Sequence, residues 1–270
     1  MIAPTPHFEL ADIQFGEETT DDDGEGSPTG LSVLNDFYEQ GLITEVIGLV
    51  KSGKEAAVYS CRAHPSTGYG MLAAKIYRKR DNRTFKNDAV YWAGVSVGKR
   101  RERVAFAKKT KAGLAVQAGA WQSREFKTLG LLHGAGAAVP APVATRSGAF
   151  LMEYFGDENG ASPQLHQVTL TKDEAPRLYQ RILDEVALWL AHHRIHADLS
   201  AFNILYVNGE IKAIDFPQAV DPRQNPNAWD LLQRDLENVH RYFARYGIEG
   251  DAAWITYDLR RQYMDPRYRL

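Results

Sequence analysis

Ile195-His196-Ala197-Asp198-Leu199-Ser200-Ala201-Phe202-Asn203-Ile204-Leu205 is a polar loop leading into an apolar run, and Ile211-Lys212-Ala213-Ile214-Asp215 is a second apolar run that ends in a carboxylate. Between the runs, Asn208-Gly209 is a hairpin turn signal, because both residues tolerate positive φ. Asp198 and Asn203 precede the first strand and Asp215 follows the second, which in a hairpin is the same end. The sequence therefore predicts two carboxylates and an amide oxygen around one small site.

These three polar side chains suit the chemistry of magnesium and phosphate. In phosphoryl transfer from a nucleoside triphosphate, one Asp orients the acceptor hydroxyl while an Asn and a second Asp hold the metal ions. Asp198 and Asn203 have the D-x4-N spacing of a kinase catalytic loop. Asp and Asn are also common in turns, so this spacing alone is a weak signal. The position of Asp215 after the hairpin is what favours the kinase interpretation.

Composition places the chain among ordinary globular proteins. Its 270 residues, 44% hydrophobic and 24% charged, are enough for one large domain or two lobes. The net charge of -2 gives no global electrostatic case for nucleic-acid binding. The single cysteine, Cys61, fits a reducing cytosol, and the N-terminus lacks the basic and apolar segments of a secretory signal. No apolar run approaches the roughly 20 residues needed to span a bilayer, so we expect a cytoplasmic protein without membrane contact.

A strand–turn–strand pattern covers residues 44–61, and its turn is typical of a loop that covers phosphates. The Walker pattern fits Gly48 and Gly53-Lys54, but Glu55 stands where a metal-binding hydroxyl belongs. The kinase template G-x-G-x-x-G-x-V aligns with Val58 as its valine, yet of its three glycines only Gly53 is present. Each match is weak, and a plain hairpin turn stays open. In the kinase alignment, the outer two glycines are replaced by Lys51 and Ala56.

A lysine inside the next apolar run strengthens the kinase interpretation. Lys75 lies in Met71-Leu72-Ala73-Ala74-Lys75-Ile76-Tyr77, and a buried ammonium there needs an ionic partner. In kinases this lysine contacts the α/β-phosphates and pairs with a helix glutamate. The candidate partner is Glu125, which shares a helical face with Trp121 and Leu129. A solvated Glu125 is the alternative.

Two charged segments flank this region. Residues 1–29 are acidic and turn-rich, which predicts a disordered tail. Residues 78–111 are strongly basic with interleaved aromatic residues, which would suit RNA phosphates and bases. The plainer interpretation is a flexible insertion, over about residues 80–115, between a strand and the Glu125 helix.

Two further strands and three helices complete the pattern. We expect strands at residues 139–143 and 149–156, with a polar hinge after the second that meets an adenine edge; core packing explains Met152 equally well. Helical periodicity covers residues 172–193 and resumes at Asn227 and Asp251. Only some 55 residues follow Asp215, which is short for a helical lobe with a long activation segment.

Together these motifs resemble the RIO family of atypical serine/threonine protein kinases. The resemblance covers about residues 30–250, and no N-terminal winged helix is evident, so it points to the branch without that domain. Its hallmarks are the S-G-K-E loop in place of a Gly-rich loop, the D-L-S-x-x-N catalytic loop and the I-D-x-x-Q metal loop. In this chain they are Ser52-Gly53-Lys54-Glu55, Asp198-Leu199-Ser200-Ala201-Phe202-Asn203 and Ile214-Asp215-Phe216-Pro217-Gln218.

The resemblance implies an α+β, two-lobed protein-kinase-like fold. Residues 30–155 would form an N-lobe with an antiparallel sheet and one main helix. Residues 156–270 would form a trimmed helical C-lobe without an activation segment. The implied ligands are ATP and Mg²⁺, and the acceptor would be a protein or the chain itself.

The resemblance also implies roles for individual residues. Asp198 would be the catalytic carboxylate, and Asn203 and Asp215 the metal ligands; Asp215 could also accept the phosphoryl group. Ala197 replaces the usual glycine of H-G-D, which would shift the loop slightly. Nucleotide binding would fall to Ser52, Gly53, Lys54, Glu55, Val58, Lys75, Glu125, Met152, Glu153 and Phe155.

Three functions remain open at this point. The first is an ATP- and magnesium-dependent serine kinase. The second is an ATPase switch with an aspartyl-phosphate intermediate, which docks through residues 78–111 on an RNA–protein particle such as the small ribosomal subunit. The third is a small-molecule kinase of the aminoglycoside-phosphotransferase type. Ser200, the S-G-K-E loop and the short C-terminal region speak against the third.

Overall fold

The N-terminal half of the protein is built on a five-stranded antiparallel sheet. The computed structural model describes residues 30–53, 55–78, 90 and 111–265. The sheet order is β1-β2-β3-β5-β4, with helix α1 packed on one face through Val33, Leu34 and Phe37. Its elements are α1 (Gly30–Glu39), β1 (Ile43–Ser52), β2 (Ala56–Ala63), β3 (Met71–Tyr77), α2 (Lys111–Gly134), β4 (Pro142–Arg146) and β5 (Ala149–Glu153).

The C-terminal half is mainly helical. Apolar residues repeat at helical spacing in α3 and α4, and these stripes are buried together around Trp189 and Phe243. The same core takes in Leu129 and Phe150 from the N-terminal half, so this larger core extends into both halves, while a second core beneath α1 belongs to the N-terminal half alone. The elements are β6 (Gly156–Asp157), β7 (Gly160–Ala161), α3 (Glu174–Ala191), β8 (Ile204–Val207), β9 (Glu210–Ala213), α4 (Ala228–Phe243) and α5 (Ala252–Met264).

This architecture confirms the predicted α+β, kinase-like fold. An antiparallel sheet with one long helix, α2, precedes a helical part, and β9 is followed within a short loop by α4. No long activation segment fits between these two elements. None of the helices in the described ranges is long and apolar enough to cross a membrane.

Element boundaries differ from the sequence prediction in several places, and one of them is the strand predicted at residues 149–156, which ends at Glu153. Helix α2 begins at Lys111, so residues 111–115 belong to it rather than to the predicted flexible insertion. Strand β4 begins at Pro142 rather than at residue 139, because the preceding backbone bonds to the C-terminal half. Ala138 donates its N–H to Glu185 at 2.9 Å and accepts from the Ala213 N–H at 2.8 Å. The predictions for residues 1–29, for Lys54 and for most of residues 78–111 lie outside the described residues.

The ribbon of β6 and β7 gives a first test of the fold. A Cβ on Gly156 would overlap the Gly160 carbonyl oxygen and lie 2.8 Å from the Ala161 Cα, whereas a Cβ on Gly160 meets nothing within 4 Å. Both glycines have positive φ, +151° and +156°. Gly156→Ala is therefore expected to lower the free energy of unfolding by about 2 kcal/mol more than Gly160→Ala. Urea unfolding measures both, and equal losses would contradict this packing.

Candidate active site

The β8–β9 hairpin brings the catalytic-loop and metal-loop residues to one end. Asn208 and Gly209 have φ of 51° and 86°, and the strands pair from Ile204 with Ala213 to Val207 with Glu210. Beyond the last pair, the Ile214 N–H donates to the Asn203 carbonyl at 2.9 Å. Asp215 therefore lies beside Asn203, as the hairpin geometry predicts.

An ion triad of the buried Lys75 and Glu125 with the partly exposed Asp215 joins the sheet, helix α2 and the loop after β9. The Lys75 Nζ lies 2.8 Å from the Glu125 Oε1 and 2.7 Å from the Asp215 Oδ1. Lys75 is 6% exposed and Glu125 is 1% exposed. The Phe216 N–H also donates to the Glu125 Oε1 at 3.1 Å, and the Tyr77 hydroxyl donates to Oε2. Glu125 is therefore a bound partner of Lys75, not a solvated side chain.

Opposing effects set the charges of this triad. Burial works to lower the pKa of Lys75, but the charges of Asp215 and Glu125 raise it above its ordinary value. Desolvation works to raise the pKa of Asp215, but the Lys75 ammonium holds it below its usual range. Burial raises the pKa of Glu125, and Lys75 opposes that shift. One lysine thus holds Asp215 ionised, as a metal ligand must be.

Asp198 lies beside Asn203 on the catalytic loop. The Asn203 Nδ2 donates to the Asp198 carbonyl at 2.9 Å and to its Oδ2 at 3.3 Å. Burial raises the pKa of the Asp198 carboxyl, and the negative charge of Asp215 adds to that shift. A carboxylate whose pKa is raised towards neutrality is better suited to accept a proton.

His196 ties the two functional loops together. The Asp198 N–H donates to its Nδ1 at 3.3 Å, so its proton lies on Nε2, which donates to the Ile214 carbonyl at 3.0 Å. His196 is 2% exposed, and burial lowers its pKa to about 4. These contacts give His196 a structural role, because it links the catalytic loop to the backbone just before Asp215.

The neutral state of His196 makes stability depend on pH. The unfolded chain takes up this proton below pH 6.5, whereas the folded protein does so only near pH 4. The contribution of neutral His196 to the free energy of unfolding is fully present above pH 6.5. It is lost as the pH falls towards 4, at up to about 1.4 kcal/mol per pH unit. We expect His196→Gln to flatten this slope in urea unfolding between pH 7 and pH 5. The exposed His133→Gln is the control, and equal slopes in the two variants would contradict the expectation.

Asp235 on α4 is a functional residue that sequence reasoning missed. Its carboxylate is buried and accepts from the Ala197 N–H at 2.7 Å and from the Leu199 N–H at 2.9 Å. Burial raises its pKa to about 8. It holds the catalytic loop where Ala197 has φ of 67°, a left-handed conformation that suits glycine better. The sequence feature that could have identified Asp235 is its position between Leu232 and Leu236, as a single Asp on an apolar helix face.

Hydrogen bonds hold the described residues on either side of the turn between β1 and β2. The Gly53 N–H donates to the Ala56 carbonyl at 2.9 Å, and the Ser52 Oγ accepts from Arg78 at 2.6 Å. The Glu55 carbonyl accepts from the Arg78 N–H at 2.9 Å. Val58 pairs with Lys75 across β2 and β3, so it lies on the same face of the sheet as the lysine.

Two backbone hydrogen bonds hold the end of β5 and the segment after it. The Glu153 N–H donates to Ala141 at 2.8 Å, and the Phe155 carbonyl accepts from Ser162 at 2.8 Å. The Glu153 carbonyl and the Phe155 N–H take no part in these two bonds. Met152 packs against the larger core, and Phe155 lies under the Lys212 ammonium, 5.1 Å from its ring centroid.

The donor set fits magnesium rather than a softer metal. Among the described residues, no cluster of three His, Cys, Asp or Glu side chains could hold a metal alone. Asn203 and Asp215 instead supply two hard oxygens, which suits Mg²⁺ because this ion keeps waters and substrate phosphates as its other ligands. The Asn203 amide N–H groups face Asp198, and no described residue donates to its Oδ1.

Comparison with known proteins agrees with this geometry. Residues 57–255 match the RIO domain family. The chain is 31% identical to the serine/threonine-protein kinase RIO1 of Homo sapiens, over 82% of this chain and 37% of the human protein. It is 31% identical to the RIO-type serine/threonine-protein kinase Rio1 of Haloferax volcanii, over 82% of this chain and 71% of that protein.

A solved structure shares the fold at lower identity. The Rio2 kinase–ADP/Mg²⁺–phosphoaspartate complex from Chaetomium thermophilum superposes with a TM-score of 0.63 at 22% identity, over 87% of this chain and 67% of that one. The chain spans about two fifths of the length of its human and Schizosaccharomyces pombe relatives, 37% and 42%. The RIO domain match spans most of the chain, and the chain covers more than two thirds of its Haloferax volcanii relative. The chain therefore belongs to the RIO family.

Proposed function

We propose that the protein is an ATP- and magnesium-dependent RIO-type protein serine kinase, which transfers the terminal phosphoryl group of ATP to itself or to a protein acceptor. The observation that carries this proposal is the ion triad of Lys75, Glu125 and Asp215 beside Asp198 and Asn203. A lysine fixed between a helix glutamate and the metal-loop Asp is the arrangement that phosphoryl transfer needs.

Each part of the site has a proposed task. The Glu153 carbonyl and the Phe155 N–H bind the adenine edge, with Met152 and Val58 beside it. Lys75 contacts the phosphates, and Ser52, Gly53, Lys54 and Glu55 form the loop over them. The Asn203 Oδ1 and Asp215 would hold Mg²⁺, which supplies positive charge next to the phosphates.

Asp198 acts on the acceptor. Its carboxylate accepts the proton of the serine hydroxyl as the serine oxygen forms its bond to the terminal phosphorus. The bond from that phosphorus to the β,γ-bridging oxygen breaks, and the electron pair leaves with ADP. Asn203 positions Asp198 for this transfer through the bonds at 2.9 and 3.3 Å.

The ATPase-switch alternative has one observation in its favour. The Rio2 complex from Chaetomium thermophilum is described as a phosphoaspartate complex. If Asp215 accepts the phosphoryl group in this chain, the product is an acyl phosphate instead of a phosphoserine. The two functions can therefore be separated by whether the covalently attached phosphoryl group survives acid, as in phosphoserine, or is released by hydroxylamine, as in an acyl phosphate.

The test follows the γ-phosphoryl group of labelled ATP with excess magnesium, with and without a general protein acceptor. The kinase proposal expects ADP formation and label that survives acid as phosphoserine. Label released by hydroxylamine and traced to Asp215 would place the ATPase switch first. A protein that neither binds nor turns over ATP with magnesium would overturn both.

We also propose a lobe boundary, a partner-binding segment and a cellular location for this protein. We propose that the N-lobe ends at residue 155 and the C-lobe begins at residue 156, so that the hinge segment connects the two lobes. Residues 78–111 are the proposed contact for RNA or an RNA–protein particle, and the protein acts in the cytoplasm. The basic residues of that segment, together with the overall net charge of -2, support a local rather than a global attraction for phosphates.

A further inference from the structure

Lys51, at the end of β1, lies on the same face of the sheet as Lys75. In the pairing of β1 with β2, Lys51 stands opposite Val58, and in the pairing of β2 with β3, Val58 stands opposite Lys75. Residues directly opposite each other in antiparallel strands project from the same face. Two lysines therefore project from one face, with one valine between them.

A β-bulge directs Lys51 to that face. Leu49 stands opposite Tyr59, and the register shifts between Leu49 and Lys51, where two residues of β1 correspond to one of β2. Tyr59 packs in the core beneath α1, on the face away from Lys75. In a regular strand Lys51 would share the face of Leu49. Bulges beside active sites commonly redirect a side chain in this way.

The face that carries Lys51 also meets the loop after β9. Lys75 projects from this face, and its Nζ lies 2.7 Å from the Asp215 Oδ1. Lys51 lies on the edge strand of the sheet, on the side of Val58 away from Lys75. An ammonium at this position flanks the site that Lys75 and Asp215 form.

Lys51, in contrast to Lys75, forms no ion pair with the described residues. Lys75 is buried and bonded to Glu125 and Asp215. Lys51 is exposed, and no carboxylate in the described part of the chain lies within ion-pair distance of it. A strongly hydrated ammonium on the face where Lys75 meets Asp215 gains most when an anion binds at that face.

We infer that Lys51 is a further catalytic residue, whose ammonium contacts the terminal phosphoryl group of ATP during its transfer. This inference rests on the proposed kinase function and deepens it. As the acceptor oxygen bonds to the phosphorus and gives its proton to Asp198, the β,γ-bridging oxygen leaves with its electron pair on ADP. Lys51 offsets the charge on the transferring group from the sheet side, opposite Asp198, while Lys75 stays with the inner phosphates.

The test compares Lys51→Met with Lys51→Arg and with Lys127→Met, a change at an exposed lysine on α2. Lys51→Met is expected to lower kcat by about 100-fold. Its affinity for a non-hydrolysable ATP analogue should fall by about tenfold, while ADP affinity, measured by calorimetry, stays as in the parent. Lys51→Arg should restore most of kcat, because it returns the positive charge. Matching thermal unfolding of all variants shows that the fold is intact.

The outcomes separate this inference from the proposed function. If the parent turns over ATP and Lys51→Met behaves like Lys127→Met, the inference is overturned and the kinase function stands. If Lys51→Met loses ADP and analogue affinity equally, Lys51 does not contact the terminal group, and the inference fails in the same way. If the parent binds neither nucleotide, the proposed function fails and the inference fails with it.

Discussion

Asp215→Ala is expected to remove phosphoryl transfer together with the magnesium dependence of nucleotide binding. Asp215 is placed to join the protein to the phosphates through Mg²⁺, and alanine offers no oxygen in its place. We expect turnover to fall by about 1,000-fold. ADP affinity, titrated with and without magnesium, should become the same under both conditions. The fold should persist, because Lys75 keeps its bond to Glu125 at 2.8 Å.

Asp198→Asn is the matched control for this result. It also removes one carboxylate from the site, but its amide oxygen still accepts from Asn203. We expect turnover to fall by about 100-fold, since the amide cannot take the acceptor proton, while ADP binding keeps its magnesium dependence. Identical magnesium titrations for the two variants would show that the roles are assigned wrongly. Phosphoserine formed at the parent rate without Asp198 would exclude it as the catalytic carboxylate.

Lys75→Met is expected to lower both turnover and stability. Turnover should fall by about 100-fold, because a positive charge at the phosphates is lost. Stability should fall because Glu125, 1% exposed, would lose its cation. Leaving a buried carboxylate unpaired lowers the free energy of unfolding by about 3 kcal/mol.

The double variant Lys75→Met, Glu125→Gln separates these two effects. It removes both buried charges, so most of the lost stability should return in urea unfolding, while turnover should stay low. Parent-like ATP turnover in Lys75→Met would mean that β3 has no part in the site. A double variant as unstable as Lys75→Met would mean that the unpaired Glu125 is not the cause.

Local patterns in the chain were enough to predict the elements and the centre of the site. Asn208-Gly209 predicted a hairpin, and both residues have positive φ. A lysine within an apolar strand and a glutamate on an apolar helix face predicted the pair of Lys75 and Glu125, which are in contact. Burying a charge is costly without a partner, so a charged residue within an apolar segment predicts that it pairs with an opposite charge.

The role of Asp235 and the orientation of Lys51 were decided by the tertiary structure. Asp235 accepts two backbone N–H bonds from a loop nearly forty residues away in the chain, and no local spacing encodes that contact. Lys51 projects from the same face as Lys75 because of a register shift between β1 and β2, and a one-residue slip moves a side chain to the other face. The backbone bonds of Glu153 and Phe155 likewise depend on Ala141 and Ser162.

Periodicity, turn residues and the cost of a buried charge are properties of short segments, so they can be read along the chain. Register, loop anchoring and the sharing of backbone donors depend on which segments meet. These are settled only when the sheet, α2 and α4 pack around the catalytic loop, because each contact joins residues distant in sequence.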